Sequence, residues 1–359
     1  MRSAMITIKD VANHSGFSVG TVSRVINGHP SVTKESRAKI QESMAELGFQ
    51  PNAAAKQMRT GKTKTVAIAV RDCSIPATAN TLRAAEEYLR SKGYTVLLAN
   101  TRDKKEVEMD LIREFSRRRV DGVIMTLSDE NDPSIIEEID RCGVPFVFMG
   151  RETVSAGDKV HADLKGGTRS AVEYLISLGH TRIAMVTGSA KSYPATGRIE
   201  GYNEAFQKAG ITPPEGLVRS KSFSGDFAFS ETISLVNMED RPTAIISGGM
   251  AMLSGVLRAL KTSDLAPGKD ISVIAGCDSD LAELYEPGIT AVSWDFNEIG
   301  LKCAEILTER MSVDETYPES RKIVLPSILV LRRSCTTAPE KLGPKGRIIR
   351  ENGDEIASN

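Results

Sequence analysis

Short hydroxyl side chains and one arginine cluster near the amino terminus of the chain. Ser18, Thr21 and Ser23 carry hydroxyls that can donate to phosphate oxygens, and Arg24 can donate two parallel hydrogen bonds to O6 and N7 of guanine. Val19 is a small apolar side chain of the kind that contacts a thymine methyl group. This set of residues predicts a surface that binds the phosphates and the base edges of duplex DNA.

Three short predicted helices would position these side chains. The first two are separated by a short turn that contains Gly16, and they have the proportions of a helix-turn-helix motif. On the second helix, Val19, Gly20 and Arg24 fall on the face that would enter a major groove. Capping residues predict the bounds of the three helices. The first lies between Thr7 and Gly16, and the second runs from Val19 to Ile26, with Ser18 before it and Asn27 after it. The third runs from Thr33 to Gly48.

A second basic segment, residues 49–61, follows the third helix. It contains Pro51 and three consecutive alanines, and alone in water it would form a helix of marginal stability. Met58 lies between Lys56 and Arg59, so it is suited to insertion between bases of a minor groove.

Charge is distributed unevenly along the chain. Residues 1–64 hold ten Lys or Arg against four Asp or Glu, although the formal net charge of the whole chain is −1. A basic head on an acidic body is typical of a polyanion-binding module joined to a second function, with a solvated basic face as the alternative.

From Val66 onward, continuous apolar runs alternate with amphipathic segments. This pattern predicts two buried parallel sheets, and therefore two α/β lobes with a cleft between them. Strands are predicted at 66–70, 95–99, 122–125, 144–149, 182–186, 244–246 and 271–275, and helices near 79–92, 106–118, 133–141, 167–179, 197–209 and 251–261. The predicted domains are a DNA-binding domain at 1–50, a hinge helix and linker at 51–63, a sensor and dimerisation domain at 64–338, and a flexible tail at 339–359.

No motif in the sequence points to catalysis. The four histidines lack metal-ligand spacing, and we find neither a GxSxG elbow nor a phosphate-binding loop. His180 follows a predicted helix end and is expected to cap it. The five cysteines are scattered singly, and neither a leader nor an apolar run long enough to span a membrane is visible. We therefore expect a non-enzyme of the cytoplasm that uses no cofactor or metal.

The head resembles the lactose-repressor (LacI/GalR) family of bacterial transcription regulators. The motif that carries this resemblance runs from Thr7 to Gly28. Similarity continues through residue 335 at fixed landmarks, namely 119–123 (RVDGV), 178–184 (LGHTRIA), 198–202 (RIEGY), 242–244 (PTA) and 257–260 (LRAL). The resemblance implies an N-terminal all-α helix-turn-helix head with a hinge helix, joined to an α/β two-lobed sensor domain of the periplasmic-binding-protein-like (type I) class.

The resemblance also implies a homodimer whose two heads bind a pseudo-palindromic operator. Residues 52–59 correspond to the hinge helix, where the family usually has leucine in place of Met58. Gly20 stands where alanine is frequent, which removes a methyl contact and lowers helix propensity. The residues expected to contact DNA are Thr7, Ser18, Val19, Gly20, Thr21, Ser23, Arg24, Asn27, Asn52, Ala55 and Met58.

Five residues are expected at the effector cleft by the same resemblance. An arginine can bind a hydroxyl pair or an anion, carboxylates bind hydroxyls, and aromatic faces stack on a ring. These residues are Asp163, Arg198, Phe227, Asp278 and Trp294. Each has a structural alternative: surface arginine, strand-end cap or core aromatic.

The chain also departs from the family at the predicted cleft. It has Ile75-Pro-Ala-Thr78 where Asn-Pro-Phe-Phe is common, Gly248-Gly-Met250 where Ala-Asn-Asp is common, and Cys277 where an aromatic residue precedes the aspartate. The effector class therefore stays open between a sugar, a sugar derivative and an acidic or phosphorylated metabolite held by Arg198 and Arg151. We expect a repressor with a small-molecule effector; the alternative is an architectural DNA-binding protein with a degenerate pocket.

Overall fold

The computed structural model describes residues 6–50, 62–155, 157–312 and 319–339. It divides the chain into two compact units, Met1–Thr63 and Lys64–Asn359. The described part of the first unit, the head, contains helices α1 (Ile8–Ser15), α2 (Val19–Ile26) and α3 (Lys34–Glu46). The hinge helix expected within 51–63 falls almost entirely outside the described residues.

Helix α1 begins and ends at the two residues that the sequence analysis selected. The backbone N–H and the hydroxyl of Thr7 both donate to the Asp10 carboxylate, at 2.8 and 2.7 Å, and these bonds lower the pKa of Asp10. Gly16 has φ +74°, a left-handed conformation that suits glycine, and its N–H donates to the carbonyl of Ala12. The turn between α1 and α2 therefore depends on glycine at this position.

A small apolar core holds the three helices of the head together. Val11 and Ala12 of α1, Val22 and Val25 of α2 and Ile40 of α3 are buried against one another. Because Val22 and Val25 occupy one side of α2, the side of α2 that carries Val19, Gly20 and Arg24 faces outward.

The second unit contains two lobes, each built on a six-stranded sheet. The first sheet is parallel throughout and has the order β11-β5-β4-β3-β1-β2. Its strands are β1 (Thr65–Val70), β2 (Thr95–Asn100), β3 (Gly122–Met125), β4 (Phe146–Met149), β5 (Asp158–Ala162) and β11 (Lys322–Leu325), and its helices are α4 (Pro76–Ser91), α5 (Lys105–Arg118), α6 (Pro133–Cys142) and α12 (Phe296–Ser312).

The second sheet has the order β12-β10-β9-β8-β6-β7, with only β12 antiparallel to its neighbour. Its strands are β6 (Ile183–Thr187), β7 (Val218–Ser220), β8 (Ala244–Ser247), β9 (Ser272–Ala275), β10 (Thr290–Ser293) and β12 (Ile328–Val330), and the helices of this lobe are α7 (Leu164–Ser177), α8 (Tyr193–Lys208), α9 (Gly225–Val236), α10 (Met250–Thr262) and α11 (Asp280–Leu284). Strands β8 and β9 are buried along their whole length, as expected for parallel strands covered by helices on both faces. The predicted pair of α/β lobes is confirmed.

The chain passes between the lobes at three short connections. It crosses from β5 to α7 at Asp163, from β10 to α12 at Trp294 and Asp295, and from β11 to β12 at residues 326–327. Two of the residues expected at the effector cleft, Asp163 and Trp294, therefore lie on connections between lobes.

The side chain of His180 does not cap α7, contrary to expectation. Its ring is buried and lies 2.8 Å from the Thr243 hydroxyl through Nδ1, while Nε2 donates to the Thr336 carbonyl at 2.9 Å. Burial lowers the pKa of His180. A neutral ring therefore ties the segment after β12 to the second sheet, and only the backbone N–H of His180 bonds to the end of α7.

Candidate nucleic-acid interface and ligand cavity

The first turn of α2 is ordered by hydroxyl groups. The Ser18 Oγ accepts from the backbone N–H of Thr21 at 3.2 Å and lies 3.0 Å from the Thr21 hydroxyl. Both oxygens remain on the exposed side of the head. A serine N-cap at this place satisfies a backbone donor that the helix itself cannot satisfy.

The outward face of α2 carries the residues predicted to read bases. Val19 is 41% exposed, an unusual degree for valine, and Gly20 and Arg24 are exposed as well. Gly20 and Arg24 are four residues apart, so they lie one turn apart on the same side of the helix. A methyl group added at Gly20 would meet only the Ser18 Oγ, at 3.8 Å, so the space in front of this residue is open.

The other DNA-binding predictions divide into two groups. Thr7 caps α1, and the Asn27 amide donates to the carbonyl of Ser23 at the end of α2, so these residues hold the helix ends and also lie on exposed surface. Asn52, Ala55 and Met58 lie outside the described residues, and their contacts with DNA stay predictions.

A cavity lies between the two lobes of the second unit. Two of the five expected effector residues, Arg198 and Trp294, line it. Residues not on that list line it too: Phe223 and Cys277 from the second lobe, and Arg71, Arg151 and Phe296 from the first. The tryptophan and Phe296 meet edge to face, with ring centroids 5.1 Å apart.

In the part of the chain that the structure describes, the buried side chain of Arg198 donates its hydrogen bonds to backbone carbonyls of the second lobe. Its Nη1 donates to the carbonyl of Pro194 and its Nη2 donates to that of Gly276 at 2.9 Å. The side chain is 4% exposed, and burial lowers the pKa of the guanidinium to about 10, so it is protonated at neutral pH. A cation at this depth is costly unless a negative group compensates it.

Asp278, the carboxylate expected beside Arg198, is bound by another arginine. Arg332 forms a bidentate pair with it, Nη1 to Oδ1 at 2.8 Å and Nη2 to Oδ2 at 3.0 Å, and this bond raises the pKa of Arg332. The Asp278 carboxylate also accepts from the N–H of Ser279. Asp278 is not among the cavity-lining residues of the structure.

Two other expected effector residues also lie away from the cavity lining. The Asp163 carboxylate caps α7 by accepting from the N–H of Gly166 at 2.8 Å. Phe227 lies in the first turn of α9 and packs against the core of the second lobe. Their role in ligand binding stays a prediction that this conformation does not support.

Phe223, and not the expected Phe227, lines the cavity in the second lobe. The sequence analysis did not predict this residue. Its ring lies against Gly188 and Gly249, where added Cβ atoms would approach ring carbons to 2.0 and 3.0 Å. Gly249 stands where the resemblance led us to expect a polar residue, and its missing side chain makes room for the ring. The unusual pair Gly248-Gly249 was the one sequence signal that could have led to Phe223.

The arginines of the first lobe have acidic neighbours. Arg151 is buried, its Nε donates to the carbonyl of Leu127 at 2.5 Å, and Glu130, Asp103 and Glu108 act on it electrostatically. Arg71 forms an ion pair with Asp103 at 3.7 Å. Burial raises the pKa of Glu108 to about 7 and raises that of Glu130 as well.

Glu130 and Asp129 also join the lobes. One Glu130 oxygen accepts from the backbone N–H of Tyr193 at 2.9 Å, and the Asp129 carboxylate pairs with Lys191 at 2.9 Å. These contacts run from the first lobe to the start of α8 in the second lobe. They would change if the lobes moved relative to each other.

In the described ranges, no helix is long and apolar enough to cross a bilayer. The same ranges contain no group of three or more His, Cys, Asp or Glu side chains that could hold a metal ion.

A helix-turn-helix head and a two-lobed body with a cavity between the lobes define a class of transcription regulators that bind both DNA and a small molecule. Comparisons with known proteins agree with this class. Residues 7–52 match the model of bacterial regulatory proteins of the lacI family, and residues 172–335 match that of a periplasmic binding protein-like domain.

Individual relatives span nearly the whole chain. The HTH-type transcriptional repressor PurR of Vibrio atlanticus (strain LGP32) is 33% identical over 325 residues, which are 88% of this chain and 97% of that protein. The ribose operon repressor of Escherichia coli (strain K12) is 30% identical over 92% of this chain and its own full length. The lac repressor dimer bound to operator and the anti-inducer ONPF superposes with a TM-score of 0.81 at 26% identity, covering 92% of this chain and 99% of that one.

The chain belongs to the LacI family of bacterial regulatory proteins. It is a DNA-binding transcription regulator with an effector-binding domain, and it is not an enzyme.

Proposed function

We propose that this protein is a repressor that binds a pseudo-palindromic operator as a homodimer, and that a small molecule in the cavity between the lobes sets its affinity for DNA. It acts on the nucleoid in the cytoplasm. The observation that carries the proposal is the outward face of α2, where Val19, Gly20 and Arg24 are exposed on a helix that is capped and packed on its other side.

Direct readout is the role of this face. Arg24 donates to guanine O6 and N7, and Val19 meets a thymine methyl group. Gly20 leaves space that a methyl would fill in relatives with alanine, so the preferred base at this position differs from theirs. Ser18, Thr21 and Ser23, together with Thr7 and Asn27, bind the phosphates that orient α2. Asn52, Ala55 and Met58 act at the centre of the operator, where Met58 is wedged into the minor groove.

Relatives support the homodimer and the effector. The lac repressor neighbour is described as a dimer on its operator, and another neighbour, of TM-score 0.70 and 29% identity, is described as a complex of the regulator CelR with cellobiose. The presence of Arg198 and Trp294, two of the five expected effector residues, in the lining of one cavity supports the proposal. Asp163, Phe227 and Asp278 lie outside the lining of this cavity.

Linkage between the two sites follows from the geometry of the lobes. A ligand that contacts Arg198 in one lobe and Arg151 in the other favours one relative orientation of the lobes. That orientation is coupled to the contacts of Glu130 and Asp129 with the start of α8. Coupling free energies of about 1–3 kcal/mol are typical of such systems.

A genomic footprint tests this function, with bound DNA recovered by immunoprecipitation and sequenced. We expect a short palindrome upstream of a small set of genes, and its loss in Arg24→Ala. Arg37→Ala, a change at a half-buried arginine whose side chain donates to the carbonyl of His29, serves as the control within the head. Recovery of DNA without sequence preference would support an architectural protein instead.

A further inference from the structure

The polar side chains that line the cavity between the lobes share one property. They are arginines, threonines and a histidine; none of the described lining residues carries a carboxylate or a carboxamide. Neutral sugars present many hydroxyl donors, and carboxylates and carboxamides are strong acceptors for them, whereas the threonine hydroxyls can both donate and accept. The lining therefore supplies hydrogen-bond donors to a ligand that accepts.

The positive charge of Arg198 is not compensated by any described neighbour. The nearest ionisable groups are the Cys277 thiol and the Tyr193 phenol, and burial raises the pKa of each to about 12, so both are neutral. A guanidinium has five N–H donors, and the described residues supply acceptors for two of them, the carbonyls of Pro194 and Gly276.

The other cations of the cavity are already balanced. Arg151 is surrounded by Glu130, Asp103 and Glu108, and Arg71 pairs with Asp103. His161 is neutral because burial lowers its pKa. Arg198 is thus the lining arginine that has no acidic neighbour among the described residues, and one guanidinium matches a singly charged anion better than a phosphate dianion.

The pairing of Asp278 explains why Arg198 has no acidic partner among the described residues. Its carboxylate follows directly after Cys277, which lines the cavity, yet it is fully engaged by the bidentate bond to Arg332. Arg332, and not Arg198, therefore pairs with this carboxylate.

The rest of the cavity wall is apolar and aromatic. The ring of Phe223 packs against Gly188 and Gly249, and the ring of Trp294 contacts that of Phe296 edge to face. Further apolar lining comes from Val70, Ile75, Met149, Leu164, Met250 and Ile299. Such walls bind a flat or compact apolar body and gain little from ligand hydroxyls.

We propose that the effector is an organic monocarboxylate with an apolar, ring-bearing body, whose carboxylate binds Arg198 and whose ring lies between Phe223 and Trp294. This inference rests on the proposed function, because it names the ligand class of the same cavity.

Trp294 makes the test direct, since it is the only tryptophan of the chain and lines the cavity. Its fluorescence is titrated with benzoate, phenylacetate and cyclohexanecarboxylate, and with the three corresponding carboxamides, which have the same shape and no charge. Ribose and cellobiose serve as neutral sugars. We expect at least one acid to bind about tenfold or more tightly than its amide, because a charge-assisted hydrogen bond is lost in the amide.

Arg198→Met is the informative variant, and Arg258→Met, a substitution at an exposed arginine of the same lobe, is the matched control. We expect the acid affinity to fall about tenfold or more in Arg198→Met and to be unchanged in the control. Retention of operator binding by Arg198→Met shows that the variant folds. Arg198→Lys, which keeps the charge, provides a second reading if Arg198→Met does not fold, and we expect it to keep the preference for acid over amide.

Failure of this inference differs from failure of the proposed function. Equal affinities for acids and amides, or binding of ribose or cellobiose alone, would overturn the monocarboxylate while leaving an effector-controlled repressor intact. Absence of sequence-specific DNA binding would overturn the repressor, and the fluorescence titration would still decide the ligand class.

Discussion

The recognition helix α2 and the cavity between the lobes present their functional residues in opposite ways. On α2, Val19, Gly20 and Arg24 follow one another along a single helix and point outward from a core formed by Val22 and Val25. The cavity residues come from segments far apart in the chain, and most of its charged groups are bound to other protein groups. A local sequence motif is therefore enough to predict the residues of the interface. The charge that the cavity presents to a ligand depends instead on which distant residue pairs with each of its charged side chains.

Asp278 illustrates this point. It follows shortly after a buried strand that was predicted from the sequence, at a position where the resemblance led us to expect a ligand contact. Its partner Arg332 lies 54 positions later in the chain, after strand β12, so no local sequence pattern predicts that the two residues pair. Asp278 therefore pairs with Arg332 and not with Arg198.

The largest expected effect contrasts a buried arginine of the body with the exposed arginine of the head. Arg310 forms a bidentate pair with Asp158, and both side chains are at most 5% exposed. Arg310→Met should lower the free energy of unfolding of the body by about 3–5 kcal/mol, because the buried Asp158 carboxylate loses its bidentate partner and keeps only its contacts with Arg321. Arg24→Met should change it by less than about 0.5 kcal/mol. Urea unfolding followed by Trp294 fluorescence measures the body; similar midpoints for both variants would contradict the contrast.

The next effect concerns DNA alone. Arg24→Ala should weaken binding to the selected operator by about 1–3 kcal/mol and relax the preference for guanine at one position of each half-site. Fluorescence anisotropy at fixed salt, with operator and with random duplex, measures both. Equal losses on the two duplexes would mean that Arg24 binds phosphate and does not read a base.

A smaller effect tests the pairing of Asp278. Arg332→Met frees a carboxylate next to the cavity, and the added negative charge should weaken binding of an acid ligand by about 1 kcal/mol. Arg332→Met combined with Asp278→Asn removes that charge and should restore the affinity. If the double variant binds acid as poorly as the single one, the charge of Asp278 is not the cause.

The smallest expected effect lies at Gly20. Gly20→Ala should stabilise α2 by up to about 1 kcal/mol, because alanine is the better helix former and the added methyl has room. Operator selection should then move toward thymine at the base opposite this residue. A selected sequence identical to that of the unmodified protein would show that Gly20 does not face a base.

The elements with strong local signals were predictable from the sequence. Thr7, Gly16, Ser18 and Thr33 gave the bounds of the head helices because caps act within one turn. Helices α4, at Pro76, and α8, at Tyr193, begin earlier than predicted because proline is accommodated in the first turn, where its missing N–H costs nothing.

Other elements depend on distant partners and escaped prediction. Strand β5 reads Asp-Lys-Val-His-Ala, a polar sequence that becomes a buried strand because Asp158 pairs with Arg310 of α12 and His161 packs against Tyr193. Helix α12 returns to the first lobe after β10, a step that no local pattern specifies. Because the cavity also depends on distant partners, only two of the five expected effector residues line it. Phe223 was not predicted, and its place follows from the glycines against which its ring packs.

The central claim is that a ligand in the cavity sets the affinity of the head for its operator. Operator affinity measured by anisotropy, with and without a carboxylate that saturates the Trp294 signal, tests it most directly. A change of about 5- to 150-fold in the unmodified protein, absent in Arg198→Met, is the predicted result. An operator affinity that stays the same while Trp294 shows the cavity to be full would contradict the account.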